Sequence, residues 1–551
     1  MSTDQKSESS HLEVVDQQPR QPDSGTLGIH DPASQHGRST WQALRANPIV
    51  VLFCLYGNIG ALMYGFDNLV LSLALSMTAF EQTFGTLTNG SYVIPAYWQS
   101  LWNALSQVAT MLGSTAAGPI QDRFGRRAAF LVAACLSAAG IAVVYTASTP
   151  GAFLAGKIVN GLSLGLALTT GQTYISEITS LEVRVTMVLT MASQNLGYLI
   201  AASVALPRMS LSSDAAYKVW IRQSASDYPQ KLIIQVLFAS GWVWPGVILL
   251  FLPFMPESPY FLVMKGQREK AGRMLSRLGN RASETPLILA DIVRTHEEEQ
   301  QRNEATKEAS FLECFKGVNW RRTRIILYCN ALSQVIGSSF MTNGPYFLVQ
   351  AGMSSAKTGM MTEIGIAFGI ASSLVTGYVM TVCGRRALVM FGIGLSTMLF
   401  TVMGIAGCFP HSSPALWVVG IFLELSWWVY GPAIGPAMAI AGEVSSVRLR
   451  AKSLAIGFTF NYFFSTVWNV VMPYLYNSDE ADLGGLIGWI FAGMGAVTLL
   501  ILFFELPETK GRSFEELDEM FTARVPTRQF QRYQCEVGQG YGGKMVHDAE
   551  D

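Results

Sequence analysis

The sequence predicts an all-α membrane protein with twelve transmembrane helices arranged as two six-helix bundles. Half of its 551 residues are hydrophobic and 14% are charged, whereas about a quarter of an ordinary soluble domain is charged. Twelve apolar runs each approach the roughly 20 residues that a helix needs to cross a bilayer. Short charged signatures recur in the same order in both halves of the chain, which indicates an internal duplication.

The apolar runs favour helices because the strands of a membrane barrel are short and alternate polar with apolar residues. The first six runs span 49–71, 98–118, 128–145, 151–174, 185–207 and 236–253. The second six span 325–349, 364–382, 387–408, 415–441, 453–475 and 483–506.

The runs divide the chain into five parts. A polar tail, 1–45, is rich in Ser, Gln and Asp, and we expect it to be disordered. The first bundle, 46–256, and the second bundle, 323–506, are joined by a charged linker, 257–322, whose interleaved apolar residues predict short helices on the membrane surface. A C-terminal tail, 507–551, follows the last run.

Basic residues concentrate on one predicted side of the membrane, as in the loops after runs 2, 6 and 8. The positive-inside bias therefore places both tails and the linker in the cytoplasm. Asn89, in Asn89-Gly90-Ser91, then falls outside as a candidate glycosylation acceptor, although such a triplet often arises by chance.

Three signatures recur in the same order and at similar spacing. Gly125-Arg126-Arg127 returns as Gly384-Arg385-Arg386, and the pair Glu177 and Arg184 returns as Glu443 and Arg450. Pro256-Glu257 returns as Pro507-Glu508. The chain is therefore predicted to be a duplicated six-helix unit, which is typical of secondary transporters.

These strings resemble the sugar porter family of the major facilitator superfamily over nearly all of 44–521. Within that family, Tyr64-Gly65-Phe66-Asp67, the segment 92–102 and Gly337-Ser338-Ser339-Phe340-Met341 are similar to fungal α-glucoside (maltose-type) permeases. The resemblance implies alternating access, in which the two bundles rock about a central cavity.

Charged residues at the repeated loops are candidates for a cytoplasmic gate. The resemblance implies that their ion pairs form in the outward-open state and break in the inward-open one. Each exposed pair contributes only about 0–1 kcal/mol, so a network is needed. The alternative is that these residues only set the topology. The candidates are Asp122, Arg126, Arg127, Glu177, Arg184, Arg385, Arg386, Glu443 and Arg450.

Asp67 is the sharpest candidate for proton coupling, because a carboxylate within an apolar run is costly unless it is paired or functional. Its predicted partner is Lys157 in run 4, where the resemblance implies a base, commonly Arg. Lysine leaves a switchable pair available. The alternative is a static ion pair that fixes helix register. Glu424 in run 10 is a weaker second candidate.

Sugar recognition needs amides and hydroxyls backed by aromatic faces. The resemblance implies sugar contacts at Gln194, Gln334 and Asn461, although the same amides often join membrane helices. The remaining candidates are Asn343 and Tyr346, as outer-gate residues, with Trp428 and Trp468 as stacking faces.

Two features depart from the family pattern. Gly431-Pro432 and Gly435-Pro436 in run 10 predict a broken helix with a hinge, and Met438 stands where hexose porters carry an aromatic residue. Thr381 occupies a loop position that is often Asp, which removes one charge pair from the second loop.

The sequence thus predicts a plasma-membrane symporter that takes up a neutral sugar with a proton, the favoured substrate being an α-glucoside such as maltose. The alternatives are a facilitative hexose carrier, an exporter of a polyhydroxylated metabolite, or a transporter-like nutrient sensor. Partners are the saccharide, the proton and the lipid bilayer, with no nucleic acid, and we expect a monomer.

An enzyme is disfavoured because neither the six histidines nor the seven scattered cysteines form a metal-ligand pattern, and no nucleophile lies in a recognisable motif. We therefore expect no cofactor, no metal and no catalytic residue.

Overall fold

The structure is a computed structural model that describes residues 48–88, 91–178, 183–210, 237–278, 285–306, 311–409, 412–446, 449–477, 480–512, 514–533 and 535. Asn89, the candidate glycosylation site, lies outside these ranges. Thr381 and Arg184 lie in described helices, but their side chains are outside the described part.

Six membrane helices make up the first half. Helix 1 consists of Pro48–Gly57 and Ile59–Leu75, and the others are helix 2, Ala96–Phe124; helix 3, Arg126–Thr146; helix 4, Pro150–Ile178; helix 5, Val183–Ser210; and helix 6, Leu237–Phe251. Between helices 1 and 2 lie a short helix, Thr78–Phe84, and an antiparallel hairpin of β1, Thr86–Thr88, and β2, Ser91–Val93, which pairs Leu87 with Tyr92. The sequence did not predict this hairpin.

Six more membrane helices follow the linker. Helix 7 has three pieces, Gly317–Val335, Ser338–Thr342 and Gly344–Gln350, and helix 10 has two, Ser413–Leu425 and Trp427–Val444. The others are helix 8, Ser355–Val382; helix 9, Arg385–Gly407; helix 11, Arg450–Tyr476; and helix 12, Ile487–Glu505. In the described residues, nine of the twelve helices are long and apolar enough, by length and composition alone, to cross a membrane. The prediction of twelve helices is confirmed.

The linker forms the helices Pro259–Met264, Arg268–Arg277 and Thr285–Thr306. Phe261, Leu262 and Ala271 are buried in a small apolar cluster with Leu289 and Ile292, so these helices pack on one another. A further helix, Phe514–Thr522, follows helix 12, and Arg322 of helix 7 holds it through Asp518 at 2.7 Å.

The membrane helices approach closely because small residues lie at their contacts. A Cβ at Gly65 of helix 1 would collide with the backbone of Gln194 on helix 5, and one at Gly165 of helix 4 would collide with the backbone of Thr110 on helix 2. Helices 5 and 8, and helices 2 and 11, form the main contacts between the halves.

Helices 7 and 10 are each interrupted within their length. Gly337, with φ 77°, adopts the left-handed conformation that glycine tolerates and ends the first piece of helix 7. In helix 10, however, the prediction of a break at the Gly-Pro pairs is wrong. Pro432 and Pro436 lie inside a continuous helix, and the interruption comes earlier, at Ser426.

The reason is a side chain that replaces the missing helical donor. Pro432 cannot donate to the carbonyl of Trp428, four residues before it. The hydroxyl of Ser372, on helix 8, donates to that carbonyl instead. Gly431 makes room for Ser372, because a Cβ there would collide with it. The freed backbone group is therefore satisfied within the bundle, and the helix continues.

The helix bundle has two ends. The motif end carries the loops at Gly125 and Gly384. The hairpin end carries β1 and β2.

Candidate functional site

The predicted partners Asp67 and Lys157 form a buried ion pair between helices 1 and 4. Lys157 Nζ lies 2.6 Å from Asp67 Oδ2, and the Lys157 side chain is only 4% exposed. Asn160, one turn further along helix 4, donates from Nδ2 to Asp67 Oδ1 at 2.8 Å. Ser137 of helix 3 donates to the Asn160 side-chain oxygen at 3.0 Å. Both carboxylate oxygens therefore accept a hydrogen bond from helix 4.

The ion pair lines two small cavities. One, of about 30 Å³, lies among helices 1, 3, 4 and 6, and its walls include Ser137 and Trp244. The other, of about 20 Å³, is more polar and is lined by Ser106 and Gln107 of helix 2 and by Asn469 of helix 11. Each has room for about one water molecule. The Asp67 carboxylate thus borders a polar cavity on the side that faces helix 11.

Two of the predicted sugar-contacting amides lie together at the contact of helices 7 and 11. Asn461 Oδ1 accepts hydrogen bonds from Ser333 Oγ at 3.0 Å and from Gln334 Nε2 at 3.3 Å. Gln334 Oε1 accepts from Ser339 Oγ at 2.9 Å. Gln194, on helix 5, is apart from them and donates to the hydroxyl of Tyr198 at 3.0 Å.

A group of tyrosines near the centre of the molecule was not predicted. The hydroxyl of Tyr64, on helix 1, lies near the Gln107 side chain. Tyr198, Tyr430 and Tyr462, on helices 5, 10 and 11, lie within electrostatic range of Tyr64. Together they supply hydroxyls and aromatic faces from both halves. The available signal was Tyr64 itself, which lies in the string that carries Asp67.

The other predicted substrate residues pack within the second half. Trp468 lies against Phe491 of helix 12, with ring centroids 5.0 Å apart, and Trp428 lies 6.5 Å from Phe368 of helix 8. Asn343 is buried and donates to the carbonyl of Ser339 at 2.8 Å. The two tryptophans thus pack against other rings, whereas Asn343 bonds to Ser339, whose hydroxyl donates to Gln334.

Tyr346 belongs to a buried polar cluster that closes the hairpin end. Its hydroxyl donates to Asn477 Oδ1, on helix 11, at 2.8 Å and accepts from Gln99 Nε2, on helix 2, at 3.1 Å. Tyr476 donates to Gln99 at 3.4 Å, and Asn477 donates to the carbonyl of Ile94 at 3.1 Å. We call Gln99, Tyr346, Tyr476 and Asn477 the closing cluster. Sequence reasoning missed all but Tyr346.

At the motif end, the first predicted loop contains the expected ion pairs. Arg126 lies 2.5 Å from Glu177 and 3.8 Å from Asp122, and its guanidinium is almost fully buried. Arg127 donates to the carbonyl of Leu252 at 3.2 Å.

The second loop repeats this arrangement. Arg385 lies 2.8 Å from Glu443, and Arg386 donates to the carbonyl of Phe503 at 2.8 Å. Arg450 donates through Nε to Ser445 at 3.2 Å. Each of these bonds, like those of the first loop, joins residues of the same half, so they do not hold the two halves together at the motif end, and the gate role stays a prediction.

Two further carboxylates, Glu257 and Glu508, hold the loops. Glu257 accepts from the backbone N–H of Arg126 at 2.9 Å, and Glu508 accepts from that of Arg385 at 3.0 Å. The glycines of the two loops differ in conformation. Gly125 has φ 93°, whereas Gly384 has an ordinary φ of −67°. A Cβ at Gly384 would instead collide with the Glu508 carboxylate.

Within the described residues, no group of three or more His, Cys, Asp or Glu side chains could hold a metal ion.

Several known proteins are similar in sequence to this chain over most of its length. A family model described as "Sugar (and other) transporter" matches residues 53–521. The general alpha-glucoside permease of Saccharomyces cerevisiae is 29% identical over 514 residues, covering 92% of this chain and 80% of the permease. The MFS transporter fmqE of Aspergillus fumigatus is 28% identical over 511 residues, covering 91% and 92%.

Solved structures show the same fold. A partially occluded inward-open structure of the xylose transporter XylE from E. coli matches with a TM-score of 0.66 at 19% identity, covering 85% of this chain and all of that one. The proton:xylose symporter XylE bound to 6-bromo-6-deoxy-D-glucose matches with a TM-score of 0.63 at 20% identity, covering 86% and 99%. From the family match and this fold, the chain belongs to the sugar porter family of the major facilitator superfamily and is a multi-pass membrane transporter, not an enzyme.

Proposed function

We propose that the protein is a proton-coupled symporter that takes up a neutral α-glucoside, such as maltose, by alternating access. The observation that carries the proposal is the Asp67–Lys157 pair, buried at membrane depth beside water-sized cavities. Two relatives are named as a general alpha-glucoside permease and a maltose permease, which supports an α-glucoside as the substrate. The excess of basic residues at the motif end supports a cytoplasmic location for that end. Uptake of an external sugar requires the plasma membrane, where we place the protein.

Protonation of Asp67 would change the packing of helices 1 and 4. Ionised Asp67 accepts from Lys157 and Asn160, which ties the two helices together. A proton on Oδ2 removes the charge that holds Lys157 and turns that oxygen into a donor. The bond at 2.6 Å then no longer joins opposite charges. A change at this contact would shift the equilibrium between the two arrangements of the bundles, because a local change of charge can favour one of two conformations.

The sugar would bind between the halves. The amides of Gln334 and Asn461 lie in the second half, and Gln194 lies in the first. The central tyrosines add hydroxyls and apolar faces, which suit the two faces of a sugar ring. The closing cluster seals the hairpin end in this state, so the bound sugar would leave at the motif end.

The test is uptake of labelled mono- and disaccharides by transporter-deficient cells, with and without a protonophore. We expect accumulation of an α-glucoside that the protonophore abolishes. Asp67→Asn should abolish accumulation but keep exchange of labelled for unlabelled sugar. The half-buried acid Glu363 provides a matched control, since Glu363→Gln should leave accumulation unchanged.

Unchanged accumulation in Asp67→Asn would rule out this coupling site. Uptake that equilibrates without accumulating in the unaltered protein would indicate a facilitative carrier instead.

A further inference from the structure

Helix 10 contains a buried carboxylate that the proposed coupling does not use. Glu424 is 4% exposed and lies at the end of the first piece of the helix, just before the interruption at Ser426. Its Oε1 lies 3.5 Å from the hydroxyl of Thr362 on helix 8. Its Oε2 and the indole N–H of Trp427 are both buried and lie near each other, but they form no hydrogen bond of normal geometry. The carboxylate is thus poorly satisfied in this state.

The neighbours of Glu424 connect it with the closing cluster. A Cβ at Gly365 of helix 8 would collide with the Glu424 carboxylate, and one at Gly344 of helix 7 would lie 3.9 Å from Oε1. Gly344 begins the last piece of helix 7, which carries Tyr346 two residues later. Glu424 therefore lies directly behind the segment that closes the hairpin end.

No compensating cation reaches this carboxylate within the described residues. On helix 8, the Lys357 ammonium lies 5.3 Å from the Trp417 ring centroid, and Glu363 is half-buried. On helix 7, the hydroxyl of Tyr346 bonds to Asn477. Helix 9 carries its charges, Arg385 and Arg386, at the motif end. An ionised Glu424 would consequently be buried without a counter-charge.

We propose that Glu424 is a gating proton site, which binds a proton from the hairpin-end compartment as that end closes and returns it there on opening. Burying an unpaired carboxylate costs far more than burying the neutral acid. Movement of the Tyr346 segment away from Glu424 would admit water, which stabilises the ionised form. Because the proton leaves on the side from which it came, it sets the gate equilibrium and is not carried across the membrane.

This inference rests on the proposed alternating access, but its test needs no sugar. Spin labels at Leu87→Cys, in the exposed hairpin, and Ala481→Cys, in the exposed loop before helix 12, report the width of the hairpin end. The purified full chain, with its exposed cysteines Cys135, Cys383 and Cys408 replaced, is measured in nanodiscs between pH 5 and 9. We expect the short-distance population to fall as the pH rises.

Variants assign that dependence to Glu424. Glu424→Gln, which mimics the protonated side chain, should hold the short distance at every pH, and Glu424→Asp should keep a pH dependence. Burial raises the pKa of Glu81, at the same end of the protein, to about 7. Glu81→Gln and Glu363→Gln are therefore matched controls that should follow the unaltered protein. A distance that is independent of pH, or that changes equally in Glu424→Gln, overturns the proposal.

Transport separates gating from coupling. In the uptake assay, Glu424→Gln should keep the accumulation ratio of the unaltered protein while the dependence of its initial rate on outside pH flattens. Loss of accumulation with retained exchange would overturn the gating role, because Glu424 would then carry a transported proton. A protein that moves no sugar would defeat the proposed function but leave the distance measurements interpretable.

Discussion

Asp67 accepts hydrogen bonds from a cation and from an amide, and the two donors have different consequences. Lys157 neutralises the buried charge, whereas Asn160 fixes the orientation of the carboxylate and is itself held by Ser137. The carboxylate and the lysine were predicted because charge within an apolar run is conspicuous. Asn160 and Ser137 were not, because polar residues of their kind are common in membrane helices and only the fold shows that they meet.

The first prediction concerns the energetics of this pair. Lys157→Met leaves a buried carboxylate without its cation, and such a change typically costs about 3–5 kcal/mol. Adding Asp67→Asn to Lys157→Met removes the unpaired charge, so we expect most of the lost stability to return. Thermal unfolding of the purified variants measures both effects. Additive losses in the double variant would show that the two side chains do not interact.

A second prediction concerns the glycine of the first loop. Gly125 has φ 93° and ψ 170°, a conformation that is almost restricted to glycine, and a Cβ there would lie 2.8 Å from Glu257. Gly125→Ala should therefore lower stability by about 1–3 kcal/mol. Gly118, in helix 2, has open space at its Cβ position, so Gly118→Ala is the control and should not destabilise. Equal melting temperatures for the two variants would contradict this account.

Partners that lie far apart in the sequence explain what the sequence did not predict at this scale. Gln334 and Asn461 were each identified by resemblance, and the structure brings them into contact. Gln99 and Asn477 were not identified, because each is a single amide near the end of a helix. Their importance arises from a contact between residues that are far apart in sequence, which no local pattern records.

The membrane helices were predicted more fully than their interruptions. Length and hydropathy determine where a helix crosses, and all twelve were found. The pieces of helix 7 depend on the left-handed conformation of Gly337, and the continuity of helix 10 depends on Ser372, which lies on another helix. Proline in a sequence removes a donor, but whether the helix breaks depends on what replaces it.

A third prediction follows from that replacement. Ser372→Ala should leave the carbonyl of Trp428 unpaired inside the bundle, at a cost of about 1–3 kcal/mol. We also expect faster hydrogen exchange in the second piece of helix 10. Thr459 bonds only within its own helix and is exposed, so Thr459→Ala is the matched control. Unchanged exchange in Ser372→Ala would mean that the helix does not depend on this hydroxyl.

At the scale of the whole molecule, the structure represents one state of the transport cycle. Contacts of the closing cluster join helices 2, 7 and 11 at the hairpin end, and Ser355 of helix 8 adds a bond at 3.3 Å to the carbonyl of Ser76. The sequence predicted two bundles and a repeated motif, but it does not indicate which end of the bundle is closed. That property belongs to the arrangement of the halves, since the same residues must also accommodate the other state.

The fourth prediction concerns this arrangement. Tyr346→Phe removes the hydroxyl between Gln99 and Asn477, and the loss of one such hydrogen bond is worth about 1 kcal/mol. The hairpin end should then open roughly five-fold more often, which the spin-label distances between positions 87 and 481 would measure. Tyr92→Phe, in the exposed hairpin, is the control. An identical distance distribution in both variants would show that the cluster does not hold the closed state.

The surroundings of Asp67 also bear on ion selectivity. An alkali cation is held by several oxygen ligands at once, but both oxygens of this carboxylate are occupied by nitrogen donors, and the adjoining chambers admit about one water each. Replacing sodium by potassium or choline in the medium should therefore leave the driving force for transport unchanged.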